Sequence, residues 1–199
     1  MAYPQGINFR ATVGFVTDIS PSDFEGGDLF DPTYPRTTPQ GNTVGWEDLN
    51  VDSRDRSTTP DVRLAGINFP KDGGADTAVY RFDLTGAGDW KLGLALGDYN
   101  GPQGPMRLEI FDTSTSLGFL VNDQTTSASQ RYFDASGVER TAAAWPTDHV
   151  LVTKTFATTI CRFRAGGTAS GLSTIAHAYV ESAGSAIPGM MSTYRQRRL

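Results

Sequence analysis

Cysteine is almost missing from this chain: Cys161 stands alone among 199 residues. An internal disulfide is therefore excluded, and with it the disulfide-stapled secreted scaffold. Histidine is scarce too. His149 and His177 are far apart and show no His-x-x-x-His spacing, so no metal motif can be read from them. No apolar run approaches the ~20 residues that a membrane-spanning helix requires. Met1-Ala-Tyr-Pro-Gln-Gly6 carries neither the basic nor the apolar region of a secretory signal, so synthesis and retention in a cytosol are expected. Basic charge is in deficit, with 17 Lys and Arg against 22 Asp and Glu and a net charge of -5. That sign excludes general nucleic-acid binding.

Catalytic signatures are lacking as well. There is no Gly-x-Ser-x-Gly elbow, no Walker loop and no dinucleotide fingerprint. The Gly-x-Gly at 86–88 joins two strand-like runs instead of opening a helix, so it cannot cradle a phosphate. A glycosidase pair could be drawn from the 22 acids, but no spacing nominates one. The expectation is a binding or structural protein with no cofactor and no enzymatic activity.

What is present is the alternation of strands with one buried face. Tyr80, Phe82 and Leu84 oppose Arg81 and Asp83. Gly86-Ala-Gly-Asp89 then turns the chain into Trp90, Leu92, Leu94 and Leu96, which reads as a hairpin. After the nine-residue loop Gly97–Pro105 the period resumes with Met106, Leu108 and Ile110 against Arg107 and Glu109. Such a loop is either a binding loop or a long connection. Further strands are expected at 7–17, 43–47, 63–69, 117–121, 150–156, 159–164 and 174–181, with a hairpin at 131–139 around Asp-Ala-Ser-Gly. Ala142-Ala-Ala-Trp145 could form a helical turn, stopped by Pro146. Asp52-Ser-Arg-Asp-Arg-Ser57 reads as a salt-bridged surface turn. Cys161 falls inside a strand-like run, as a buried structural thiol, and His177 is expected to be buried or half-buried.

The pattern predicts one domain over 1–181, an antiparallel β-sandwich with Phe82, Leu84, Trp90, Leu92, Leu94, Leu96, Leu108, Ile110, Phe156 and Ile175 in its core. Residues 18–42 form an irregular segment rich in proline, with Asp18, Asp23, Glu25, Asp28 and Asp31. These acids lack the Asp-x-Asp-x-Asp-Gly spacing of a calcium loop and read first as a solvated acidic loop. Trp46 is either a core plug or a ring face for a sugar. Residues 182–199 lose all periodicity and form an extended arm, basic at Arg195, Arg197 and Arg198, that reads as a docking tail or as disorder.

Arg63-Leu-Ala-Gly-Ile-Asn-Phe69, Tyr80-Arg-Phe-Asp-Leu84 and Trp90-Lys-Leu-Gly-Leu-Ala-Leu-Gly-Asp98, with Thr174-Ile-Ala-His-Ala-Tyr-Val-Glu181 as the closing strand, resemble galactose-binding-like jelly rolls. These include malectin-like domains and carbohydrate-binding modules. The resemblance implies a jelly-roll sandwich with extended N- and C-terminal segments, and ligand loops at Trp46 and at Asp98, Tyr99 and Asn100. There a ring would stack on a pyranose while the carboxylate accepts hydroxyl bonds. The overall layout, from Met-Ala-Tyr-Pro to Tyr194-Arg-Gln-Arg, also resembles structural proteins encoded among the virion genes of tailed bacteriophages. It implies a virion protein assembled in the host cytoplasm, foremost a capsid decoration or cement subunit. Such a subunit would be lattice-bound or homo-oligomeric and would dock on other virion proteins through Tyr194, Arg195, Arg197 and Arg198. The alternative is a tail or fibre module that recognises host-surface glycans. No nucleic acid and no membrane is expected as a partner, and no resident metal.

Overall fold

The computed structural model describes residues 5–9, 25–26, 33–37, 42–48, 50–56, 59, 61–71, 76–167 and 171–184. Fifteen strands follow in order: β1 Gln5–Asn8, β2 Glu25–Gly26, β3 Arg36–Thr37, β4 Thr43–Trp46, β5 Val51–Asp55, β6 Gly66–Pro70, β7 Thr77–Asp83 and β8 Gly88–Asp98, then β9 Met106–Asp112, β10 Thr115–Gln124, β11 Arg131–Phe133, β12 Glu139–Thr141, β13 Val152–Phe156, β14 Ile160–Gly166 and β15 Ile175–Ser182. A 3-10 turn spans Val62–Leu64 and one short helix, α1, spans Trp145–Asp148.

These strands form two sheets that pack face to face. The first has nine strands: β12, β11, β8, β15, β1 and β2 lie side by side, β13 also pairs with β8, and β6 joins β5 to β15. The second runs β10-β9-β14-β7-β4-β3. Within the sheets most pairings are antiparallel, so the expected jelly-roll sandwich is the fold. The eleven residues of β8 reach about 34 Å, long enough for β13 to pair with its first half and β11 with its second.

Alternation fixed which side chains are buried, and all ten expected core residues lie in the main core. It did not fix sheet membership. β7 and β8 are not a hairpin: β7 lies in the six-stranded sheet and β8 in the nine-stranded one, so 84–87 is an arch across the sandwich. β9 returns to the six-stranded sheet. The same holds for β13 and β14, which the Ala157–Thr159 turn carries from one sheet to the other. A strand of either sheet turns alternate residues toward the same interior, so the period is identical for a hairpin and an arch. The 131–139 hairpin does form, with Arg131 opposite Thr141 and Phe133 opposite Glu139.

Two further expectations are corrected. Pro146 does not stop a helix but occupies the first turn of one, where its missing N–H costs nothing. The 52–57 charges do not form a turn: Val51–Asp55 is a strand on β6, with Arg54 paired to Asp52 at 2.9 Å. Of the strand expected at 7–17, β1 covers the start, and most of the rest lies outside the described residues.

A second, smaller core roofs the outer face of the nine-stranded sheet. Leu64, Ile67, Phe69, Tyr132 and Trp145 pack there with Ala95, Ala142 and Ala176. Trp145 donates its indole N–H to the Leu94 carbonyl at 2.9 Å, His149 stacks on its ring at 4.5 Å, and the Arg63 guanidinium lies 5.0 Å from it. His177 meets the same indole edge-on. Asp134 ties this roof together. Its fully buried carboxylate accepts bonds from Ser136 N and Oγ, Val138 N, Arg140 Nε and Val150 N, at 2.5 to 3.2 Å.

At the far margin of the six-stranded sheet, β10 pairs with β9 through three register shifts, between Ser116 and Gly118, Phe119 and Val121, and Val121 and Gln124. Gly118 and Asp123 have positive φ, and Lys154 of the opposite sheet donates to the Leu117 carbonyl at 2.7 Å.

Asp134→Ala should cost about 3 kcal/mol in urea unfolding, because it strands several donors around a buried position and leaves the half-buried Arg140 charge without its partner. Acid should weaken the fold in two stages. Burial, reinforced by Arg63 and His149 and opposed by a bond with Ile7, holds the His177 imidazole well below 6.5. The unfolded chain therefore takes up that proton first, and stability falls as pH drops below about 6.5. Burial raises the Asp134 carboxyl, but its bonds from Ser136, Arg140, Val150 and Val138 outweigh this and hold it below 3.8. Its contribution is present above that value and is lost at lower pH. Urea midpoints at pH 7 and 5 should differ less in His177→Gln than in the wild type.

Candidate functional site

The outer face of the six-stranded sheet follows from the residues that alternation leaves over. With Tyr80 and Phe82 inward on β7, Arg81 and Asp83 point outward. With Cys161 and Phe163 inward on β14, Arg162 and Arg164 point outward, and on β9 the same rule turns Arg107, Glu109 and Phe111 outward. Register sets these residues in rows across the strands. Arg81 stands opposite Arg162, which stands opposite Phe111 and then Ser116; Arg164 stands opposite Glu109 and then Phe119.

Two arginines directly across from each other repel. Glu47, just past β4, resolves this by binding Arg162 through both oxygens, at 2.7 and 2.8 Å, and Arg81 at 3.5 Å. Arg81 is also held by Asp83 at 2.6 Å, and the Tyr34 hydroxyl donates to the same carboxylate at 2.9 Å. Arg164 pairs with Glu109, which also accepts from Ser116 Oγ at 2.5 Å, and Arg107 pairs with Asp123. Three guanidiniums lie against rings: Arg81 on Tyr34 at 4.2 Å, Arg164 on Phe111 at 4.5 Å and Arg107 on Phe119 at 5.5 Å. Phe119 is 43% exposed. The face is thus a sheet of oriented donors and acceptors set with aromatic rings. It can hydrogen-bond a ligand's hydroxyls while a ring covers its C–H surface.

The residues nominated from the sequence are placed otherwise. Trp46 is the core plug of the two readings, 1% exposed and packed edge-on against Tyr80 at 5.1 Å, so no stacking face is available on it. Asp98, 3% exposed, is clasped by Arg56 through Nε at 2.6 Å and Nη2 at 2.7 Å, and also accepts from Asn100 N and Gln103 Nε2. Its lone pairs are committed within the chain. Tyr99 packs against the outer core, and Asn100 is exposed. The Gly97–Pro105 loop is a packed connection. Gln103 and Thr126 exchange backbone and hydroxyl bonds, and a Cβ on Gly104, at φ 145°, would come within 2.5 Å of the Thr125 backbone. Tyr194, Arg195, Arg197 and Arg198 lie outside the described residues, as do Asp18, Asp23, Asp28 and Asp31. Among the described residues no cluster of three or more His, Cys, Asp or Glu is placed to hold a metal ion, and no helix is long and apolar enough to cross a membrane.

A cleft of about 480 Å³ opens where the 85–87 arch meets the end of β15, lined by Thr85, Asp89, Trp90 and Ser182 among others. Trp90 closes its floor but is 2% exposed, and its indole N–H is taken by the Gly86 carbonyl. It offers no ring face.

No family model matches the sequence, and no curated protein matches it. Solved structures do. The chain is similar in fold to carbohydrate-binding modules. A family 35 carbohydrate binding module from Clostridium thermocellum is 12% identical, with a TM-score of 0.39 over 70% of this chain and 92% of that one. The CBM35 of Paenibacillus barcinonensis is 9% identical, with a TM-score of 0.38 over 71% and 99%. The Bacillus subtilis protein YXIM is 13% identical, with a TM-score of 0.49 over 90% of this chain; the match spans 40% of that protein's length.

The cross-strand arginines give a direct check on this face. Glu47→Ala should lower stability by about 1 kcal/mol in urea unfolding, and adding Arg162→Met should recover part of the loss, because the repulsion from Arg81 then disappears. A double variant as unstable as the sum of the two single changes would contradict the account.

Proposed function

We propose that the chain is a non-catalytic glycan-recognition module that binds through the outer face of its six-stranded sheet. The observation that carries the reading is Phe119, a large ring 43% exposed beside Arg107, on a face where Tyr34 and Phe111 also sit among ion-paired arginines. Sugar rings need such a mixture: an apolar surface for their C–H face and planar polar groups for paired hydroxyls. The similar solved modules are named for carbohydrate binding, in keeping with this reading.

Of the two placements expected from the sequence, a tail- or fibre-associated module that recognises host-surface glycans fits this face better. A capsid decoration or cement subunit is the second reading. In that reading Tyr194, Arg195, Arg197 and Arg198 dock on neighbouring subunits. In both placements the protein belongs to the virion and touches other virion subunits.

Wild-type protein on a glycan array should retain a restricted set of glycans and release no reducing sugar from them. Phe119→Ala, which removes a half-exposed ring with little effect on folding, should weaken retention about tenfold. Silence of the folded wild type overturns the glycan reading. Labelling of intact particles separates tail from capsid.

A further inference from the structure

Resting on that reading, we infer that the ligand of this face is an uncharged glycan chain lying across the strands, not an acidic sugar and not a single terminal residue. Charge carries the first half. Arg81 sits between Asp83 and Glu47, Arg162 on Glu47, Arg164 on Glu109 and Arg107 on Asp123. Four guanidiniums meet four carboxylates, so the face is neutral on a chain of net charge -5. A uronate or sulfate would add a second anion beside a guanidinium whose charge its own carboxylate already offsets, with no net Coulombic gain. Hydroxyl groups need no such exchange. Arg164 engages Glu109 through Nη2 alone, its side chain is 39% exposed, and the ring of Phe111 lies against its guanidinium. Its remaining N–H groups are donors held in place before a ligand arrives.

Layout carries the second half. Tyr34 rests on Arg81 of β7, Phe111 belongs to β9 and Phe119 to β10, with β14 between β7 and β9. Three interstrand spacings separate β7 from β10, about 14 Å. One sugar ring cannot span from Tyr34 to Phe119. A chain running obliquely across the strands, from Tyr34 past Phe111 to Phe119, reaches all of them.

The test uses neutral β-1,4-linked gluco- and galacto-oligosaccharides of increasing length, and oligogalacturonates of matched length, titrated into the full chain at low and high salt. A neutral series should bind with affinity that rises from one unit to several and changes little with salt, while the uronates bind at least about tenfold more weakly. Phe119→Ala should lower affinity for the longer chains and for the single unit alike, and the rise of affinity with length should become shallower. Tighter uronate binding that fades with salt overturns the inference and leaves glycan recognition standing, as does a single unit binding as well as the longest chain. Folded protein that binds no member of either series, and is silent on the array, overturns both.

Discussion

Burial of β8 on both faces is the constraint that the rest of the structure answers to. Its inward side chains Trp90, Leu92, Leu94 and Leu96 fill the sandwich, and its outward Ala95 lies under the roof built around Trp145. The Leu94 carbonyl takes the Trp145 indole N–H, so the roof is keyed to this strand. A strand covered on two sides needs ladder partners along both edges. β8 finds β11 and β13 on one edge and β15 on the other. Among the described residues the roof covers the middle of the nine-stranded sheet, whereas the six-stranded sheet keeps a polar outer face across β7, β14, β9 and β10.

On that open face a single carboxylate does much of the organising. Glu47 and Arg162 are 115 residues apart in sequence, yet their bond lets two guanidiniums stand side by side on neighbouring strands. With Asp83 and Glu109 beside it, each long, flexible arginine is fixed in one orientation. The rings of Tyr34 and Phe111 add a flat surface against two of them. Order among long side chains is entropically costly, and here it is met within the sheet itself, so little of it is left to be lost on binding.

The core was legible in the sequence because period two reports burial directly: Phe82, Leu92, Leu108 and Ile175 could be assigned without knowing any strand's neighbour. Sheet partners were not legible, since arch and hairpin share that period, and neither was the direction in which Pro146 acts on its helix. Trp46 and Asp98 drew attention by residue type, but their surroundings come from Tyr80 and Arg56, distant in the chain. Arg81, Arg162 and Glu109 were visible only as the polar half of an alternation. Their meaning is a matter of register, which brings together four strands drawn from residues 77–166, and no local window contains it. The one advance signal was modest: Phe111 and Phe119 are large rings on strands whose other outward positions are mostly polar.

The irregular course of β10 bears on what happens when many copies of this chain are crowded together. A straight marginal strand with free amide and carbonyl groups would template its counterpart on the next molecule, and growth of such a ladder is how amyloid nuclei begin. Here three register shifts break the ten-residue run into pieces too short to zip. The backbone of Gly118 and Asp123 twists the margin away from any flat neighbour, and Lys154 already occupies the Leu117 carbonyl. Dense display then carries little danger of fibre formation through this margin, and contacts between copies are left to side chains, whose chemistry can be selective.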